Sequence, residues 1–535
     1  MTIDLSKVKS PKINVSSIDF NLLKRVFIYT FIFGFISHLA ICVSPVFSHD
    51  ALLVHQNDYI HQISIGRFLQ PLYLNIRGDI AIPFVIVVLS MVYLSMSMYL
   101  IVKMLDFKSN KQIALLCGLF ATCHVLVLAN ATYTPWSDIF MLSMFLNMLA
   151  LYLTINYKYG FIVGSILIFI SCGLYQAYIQ AFLALALILL IKNILNGEKT
   201  KTIILRGVLY IITLGMGLGL YYIATLYVPN LCGIDLSTAY NGVSDVGVKT
   251  FSGFIDLTGQ TYEKWFKNFF YNHTFSSVVI TVVKFAFVII ALLSLIAVVI
   301  KRKIKIVNLV LMLIFIGILP VAMNVTNILT KGISHDLMTY TNVFVYVFCF
   351  AIFAFCPKFD NYFNLKKVKI SHIGIIVLTA SIIFTNCIYA NQVYLQKYLQ
   401  SESTFSTMTR VIEEMEETPG YVVGQTPVVL IGSLNDVNLA RPLEGFEEAK
   451  GLGASIAFST TYYTTYERYF RYIMGYPINL VDATPVGYGF NDSVARGGIV
   501  ERFSQYDEVK MMPAFPYEGS VMMLDGYLIV KLGNI

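Results

Sequence analysis

The sequence predicts a polytopic α-helical membrane protein of about eleven spans with a C-terminal extracytoplasmic α/β domain, and three observations lead there. Of 535 residues, 57% are apolar and only 13% charged, about half the charged share of roughly 25% in an ordinary globular domain. The apolar residues gather in runs of helix-spanning length without period-two alternation, which argues against a transmembrane β-barrel. Past residue 393 the character changes: no span follows, and 10 Lys and Arg stand against 17 Asp and Glu. A mean hydropathy of +0.70 sets aside soluble enzymes, secreted factors and nucleic-acid binders.

Residues 1–25 form a polar arm, predicted to be cytoplasmic. At about 20 apolar residues per crossing, spans fall near 26–45, 81–103, 112–130, 138–156, 160–174, 177–195, 207–228, 276–300, 306–327, 338–356 and 371–392. The stretch 160–195 is too long for one helix and short for two, so a tight outer turn is placed at Gly173 to Tyr178, within SCGLYQAYIQ. The first span is not a cleavable signal, because a polar arm precedes it and no small-residue cleavage site follows. With the N-terminus inside, the inner segments hold 21 Lys and Arg and the outer loops 6. That asymmetry predicts a cytoplasmic N-terminus, outer loops at 46–80 and 229–275, and a tail outside. The net charge of +7 is then a topology signal and calls for no polyanion partner.

Seven of the eight cysteines lie in apolar segments and Cys232 in a loop, with no CxxC pair or metal spacing. The domain 393–535 has no cysteine. It reads as a helix in RVIEEMEE, a buried strand in TPVVLIGSL, a helix through TTYERYFRYIM, and strands in INLVDA, SVMMLDG and YLIVKL.

Ionisable groups cost roughly 2.5–3.5 kcal/mol at the centre of a spanning helix, so their placement is informative. Of the 14 acidic residues before position 393, nine fall on the predicted outer side. The densest outer loop contains His49, Asp50, His55, Asp58, His61, Arg67 and Arg77. Asp50, at the outer end of the first span, is a candidate general base and equally a helix cap; Asp58, eight residues on, shares its face if the loop is helical. The two aspartates with His55 and His61 are potential divalent-metal ligands, but the spacing matches no metal motif and no cofactor is expected. Arg67 reads as a phosphate contact or a headgroup contact, and Arg77 as a local ion pair with Asp79.

Tyr133, Trp136 and Asp138, where the third and fourth spans meet, suggest a sugar platform or an interfacial aromatic belt. Tyr175 and Gln176 in the next outer turn, and Lys331, His335 and Asp336 further on, add polar groups on the same side. Lys284, within the eighth span, would either snorkel outward or neutralise a phosphate. Tyr462, Tyr463, Tyr466 and Tyr469 offer a glycan-holding surface or ordinary core. There is no Walker A loop or GxGxxG, so a nucleotide-driven pump is disfavoured and the energy for outer-face chemistry has to arrive in an activated lipid.

His49 and Asp50 after the first span, Asp58 followed by Ile63, Ser64, Gly66 and Arg67, the Pro135-x-x-Asp138 pattern and Gly173 to Tyr178 together give the chain a likeness. It resembles the Gtr-type glucosyltransferases that modify O-antigen or other surface polysaccharides, through the membrane region to about residue 392 and more loosely in the tail. The resemblance implies a GT-C-like bacterial inner-membrane enzyme that moves a hexose, glucose in the first instance, from a polyprenyl-phosphate donor to a polysaccharide or lipid-linked glycan acceptor. It implies Asp50 as base, Asp58 and Asp138 as supporting carboxylates, and Arg67 as a phosphate contact, with Lys331 as a further cation; His49, Tyr133, Trp136, Tyr175, Gln176 and His335 would line the substrate site. His49 stands where many such enzymes carry a second acid, which weighs against metal dependence. A single displacement would invert the anomeric carbon. The alternative is a transporter or flippase of lipid-linked glycans, which would place charges at mid-bilayer and broken helices in matching halves. A non-catalytic scaffold would leave the outer carboxylates unexplained.

Overall fold

The computed structural model describes residues 18–44, 59–78, 80–237, 247, 250–271, 278–355, 370–432, 463–481 and 499–533. His49, Asp50, His55, Asp58, Asp79, Cys356 and Tyr462 lie outside the described residues.

The long apolar helix α1 (Phe20–Val43) comes first, followed by two short helices of the predicted first loop, α2 (Tyr59–Ser64) and α3 (Gln70–Arg77). There follow α4 (Pro83–Leu105), the pair α5 (Asn110–Ala121) and α6 (His124–Ala131), α7 (Ser137–Asn156), α8 (Gly160–Tyr175), α9 (Ile179–Leu195) and α10 (Thr200–Cys232). Then come α11 (Phe251–Phe270), α12 (Val278–Arg302), α13 (Ile306–Met323), α14 (Val325–Leu329), α15 (Phe344–Phe353) and α16 (Ile370–Glu417). Among the described residues nine helical stretches are long and apolar enough to cross a membrane, or up to ten if the bent pair α5 and α6 is one span. These helices fit a polytopic membrane protein.

One of the nine, Gly160–Leu195, is two runs. Along α8 the chain lies antiparallel to α7, with Asn147 donating to the Ser171 hydroxyl at 2.7 Å. At Tyr175 the backbone leaves the helical region (φ −159°, ψ 108°) and a 3-10 turn, Gln176–Tyr178, follows. Tyr178 then stacks 6.1 Å from Phe140, near the start of α7. Lys192 donates to the Met104 carbonyl, beside Lys103, which lies over Tyr152 near the end of α7. The chain has reversed, so α8 and α9 form the hairpin predicted around Gly173 to Tyr178. Against the eleven spans expected, nine to ten stretches qualify among the described residues, with α8 and α9 falling within one of them.

The third span is broken rather than straight. α5 and α6 meet at 41°, and the carbonyls freed at the break take side-chain donors. Tyr340 donates to Phe120 at 3.0 Å, and the ring of His38 bridges the Ala121 carbonyl at 2.8 Å and the Tyr394 hydroxyl at 2.7 Å. Irregular backbone survives at membrane depth because neighbouring helices satisfy it in this way.

Basic residues predicted to share one side do gather at one end of the bundle: besides Lys192 near Met104, Arg302 donates to the Leu195 carbonyl and Arg206 pairs with Glu198. The opposite end carries the candidate site. There the described residues of the predicted loop 229–275 are largely helical. The helix α10 runs to Cys232, which is therefore an exposed helix end instead of a loop residue, and α11 follows as an amphipathic helix. Its inner face is anchored by Lys264, which donates to Asn327 Oδ1 at 2.9 Å and also to the Gly332 carbonyl and the Ser334 hydroxyl. Lys284 neither snorkels nor stands free: it donates to the Phe269 carbonyl at 2.9 Å, placing a cation at the negative end of α11.

The last helix, α16, runs unbroken through residue 393, so spanning segment and tail share one element. The half beyond 400 packs on a four-stranded sheet of order β2-β1-β4-β3, with β1 (Pro427–Ile431), β2 (Asn479–Leu480), β3 (Val521–Leu524) and β4 (Tyr527–Lys531). β1 is parallel to β2 and β4, whereas β3 and β4 form an antiparallel hairpin. Alternation sends Val428, Leu430, Leu528 and Val530 toward Met408, Val411 and Met415 of α16. Val429, Ile431 and Ile529 face Phe503 and Val509 on the other side. Both faces are covered, which explains why these strands are apolar at consecutive positions. Tyr466 and Tyr469 lie in the first of these cores and present no outer glycan surface.

Candidate active site

The segment His61–Arg77 is held by side chains from four helices. The helix α2 ends in a Schellman motif, in which Arg67 N–H donates to the Gln62 carbonyl at 2.8 Å and Gly66 N–H to Ile63 at 3.0 Å. Gly66 is in the left-handed region (φ 80°) that such an ending requires. This gives the Ile-Ser-x-Gly-Arg sequence a physical meaning: glycine stops the helix and puts the arginine immediately after the stop.

The α8–α9 turn docks on the same segment through three hydrogen bonds. Leu69 N–H donates to Gly173 at 2.9 Å, Gln70 Nε2 to Leu174 at 2.7 Å and Gln176 Nε2 to Ile65 at 2.9 Å. Gln176 also donates to Tyr221 of α10 at 2.8 Å, and the Tyr221 hydroxyl donates to the Gly66 carbonyl at 3.2 Å. A Cβ at Gly173 would come within 2.9 Å of the Leu69 side chain, so only glycine permits this approach.

The guanidinium of Arg67 lies 4.8 Å over the Tyr175 ring, a cation–π contact. Its Nε is buried without a hydrogen-bond partner among the described residues. Burial, helped by the Arg67 charge, pushes His61 down from 6.5 to about 4, so the imidazole beside the arginine is neutral.

A second cluster surrounds Asp138, which opens α7 after the turn Thr134–Trp136. Its carboxylate is fully buried (0% exposed). It accepts from Arg77 Nη1 at 2.9 Å and from the Tyr73 hydroxyl at 2.8 Å. Arg77 also donates to the Pro135 carbonyl at 2.8 Å. Arg77 pairs with Asp138, 61 positions along the chain, because α3 lies across the start of α7; its expected partner Asp79 lies outside the described residues. Burial, then the Asp138 charge, holds the Tyr73 hydroxyl protonated far above the ordinary phenol range, so it is a donor to the carboxylate.

A match to the family model Glucosyl transferase GtrII covers residues 39–355, more than half of the chain. The chain belongs to the GtrII glucosyl transferase family. No curated protein and no solved structure matches it. The GtrII match contains every described part of the site, from His61 through Arg77, Asp138 and the 173–178 turn to His335.

In this GtrII chain Arg67, Tyr175 and Gln176 come together, with the Gln176 amide spent on backbone and on Tyr221. Asp138 sits in its own cluster, with Trp136 packed nearby against Leu74 and Leu174. Tyr133 is half-buried in the core beside them. Lys331 and His335 belong to a third group, the loop that Lys264 anchors; Lys331 is in the left-handed region (φ 54°) at the end of α14. Tyr73, Tyr221 and Gln70 escaped the sequence reading. The signal that marks them is a polar group inside an otherwise apolar stretch, each of which must find a partner.

Proposed function

We propose that the protein transfers a glucosyl group from a polyprenyl-phosphate donor to a surface polysaccharide or lipid-linked glycan at the outer face of the bacterial cell membrane, with inversion at the anomeric carbon. Membership in a glucosyl transferase family supports the sugar. The observation that carries the donor class is Arg67: a guanidinium stacked on Tyr175, with a buried and unpartnered Nε, is a donor waiting for an anion. In this reading Arg67 stabilises the leaving phosphate as charge develops on it. Asp50, from the loop that follows α1, removes the acceptor hydroxyl proton as that oxygen attacks the anomeric carbon. Asp58 and Asp138 support, Tyr133 and Trp136 face the sugar, and Lys331, His335 and His49 contribute to substrate binding.

The test is transfer from a polyprenyl-phosphate-linked glucose in membranes carrying matched amounts of wild type, Asp50→Asn, Arg67→Ala and the neighbouring control Asp79→Asn. Loss of roughly 10²–10⁴ in rate for Asp50→Asn, with Asp79→Asn active, is the expected result. Wild-type membranes that transfer nothing, while moving a lipid-linked glycan across the bilayer, would replace this reading with transport.

A further inference from the structure

Asp138 has no surface with which to meet a substrate. Its oxygens face Arg77 Nη1 at 2.9 Å, the Tyr73 hydroxyl at 2.8 Å and the Ile139 N–H at 3.0 Å, and the carboxylate is 0% exposed. Both side-chain partners come from α3, the eight-residue helix that begins three positions after Arg67. So short a helix does not hold itself in place. It is anchored at its far end by Asp138, through Tyr73 and Arg77, and at its near end by the 173–176 turn, through Leu69 and Gln70. Arg67 lies directly before that double anchorage, its own position fixed by the Gly66 stop and the Tyr175 ring.

We propose that Asp138 is a positioning residue: through Tyr73 and Arg77 it locks α3, and so fixes the register of the Gly66–Gln70 segment that aims Arg67 at the anion. The proposal rests on the reading of Arg67 as a phosphate contact and adds to it the group that sets its place. An anchored carboxylate of this kind explains why a charge is kept in a fully buried position at the start of α7. Arg77 spends its Nη1 on Asp138 and the Pro135 carbonyl.

The experiment is binding of a long-chain isoprenyl monophosphate to the full-length protein in nanodiscs, a probe that needs neither sugar nor acceptor. The variants are Arg67→Ala, Asp138→Asn, Tyr73→Phe and the double variant Arg67→Ala/Asp138→Asn. Arg67→Ala is expected to weaken binding roughly 10- to 100-fold, as for loss of a charge-assisted hydrogen bond. Asp138→Asn should weaken it about tenfold by misplacing the arginine, Tyr73→Phe less in the same direction, and the double variant no more than Arg67→Ala alone, because both act through one group. Additive losses in the double variant overturn the positioning role and leave the reading of Arg67 intact. Arg67→Ala at wild-type affinity, or a wild type that does not bind, removes the phosphate reading and this proposal with it. If Asp138→Asn does not fold, Tyr73→Phe decides: wild-type affinity in that variant sinks the proposal.

Discussion

At the scale of the residue, Arg67 and His61 define what the candidate site offers. Lysine in place of Arg67 would keep the charge but lose both the planar contact with Tyr175 and the fork of N–H donors that a guanidinium carries. His61 makes the local field measurable. Its proton is held off until about pH 4 in the folded protein against 6.5 in an unfolded chain, so between these values the unfolded state binds more protons. Stability therefore falls as pH drops from 6.5 toward 4 and is fully present above 6.5. Thermal unfolding in detergent at about pH 7 and about pH 5 should show that loss, and His61→Gln should flatten it. An unchanged pH slope in His61→Gln would mean that the imidazole is not buried beside the arginine.

At the scale of the element, the broken span α5–α6 depends on side chains from elsewhere. Removing the Tyr340 hydroxyl leaves the Phe120 carbonyl with the weaker backbone donor Cys123 N–H, at 3.4 Å, in place of a 3.0 Å side-chain bond. Tyr340→Phe should destabilise the protein by roughly 0.5–1.5 kcal/mol, the net worth of one hydrogen bond, as read from denaturant titration in micelles. Equal stability would show that another group or water satisfies that carbonyl. The same logic separates Lys284 from the site: a cation that closes the α11 carboxyl end is engaged in fold, and the hydropathy of its span alone gave two other readings. In the tail, Lys531 does comparable work, donating to Val509, Lys510 and Met512 carbonyls at 3.0, 3.1 and 2.7 Å at the end of the helix Asp507–Met511.

At the scale of the whole molecule, the site and the concentration of basic residues occupy opposite ends of the helical bundle, which is the arrangement that outer-face chemistry needs. Cys232 provides the check, since it is exposed at the candidate-site end of α10 while the other described cysteines are buried or half-buried. In intact spheroplasts a membrane-impermeant maleimide should label the protein, and Cys232→Ser should abolish that labelling. Labelling only after the cells are opened would invert the orientation and place the site in the cytoplasm.

The apolar helices, the hairpin at Gly173 to Tyr178 and the described strands of the tail were legible in the sequence because each follows from local periodicity and length: apolar runs measured against bilayer thickness, and apolar segments closed by Gly, Pro and Asp. The likeness carried by Asp58 to Arg67 and by Gly173 to Tyr178 was legible too, and the family match agrees with it. What the sequence could not state is which of these segments touch. Nothing local to Arg77 announced its pairing with Asp138, and nothing local to Gln176 announced that its amide donates to Ile65 and Tyr221. Hydropathy is a property of a residue and its immediate neighbours, so the sequence by itself determined where the chain crosses. A buried hydrogen bond belongs to two distant residues at once, so only the tertiary structure decided which polar groups are consumed in holding the candidate site together.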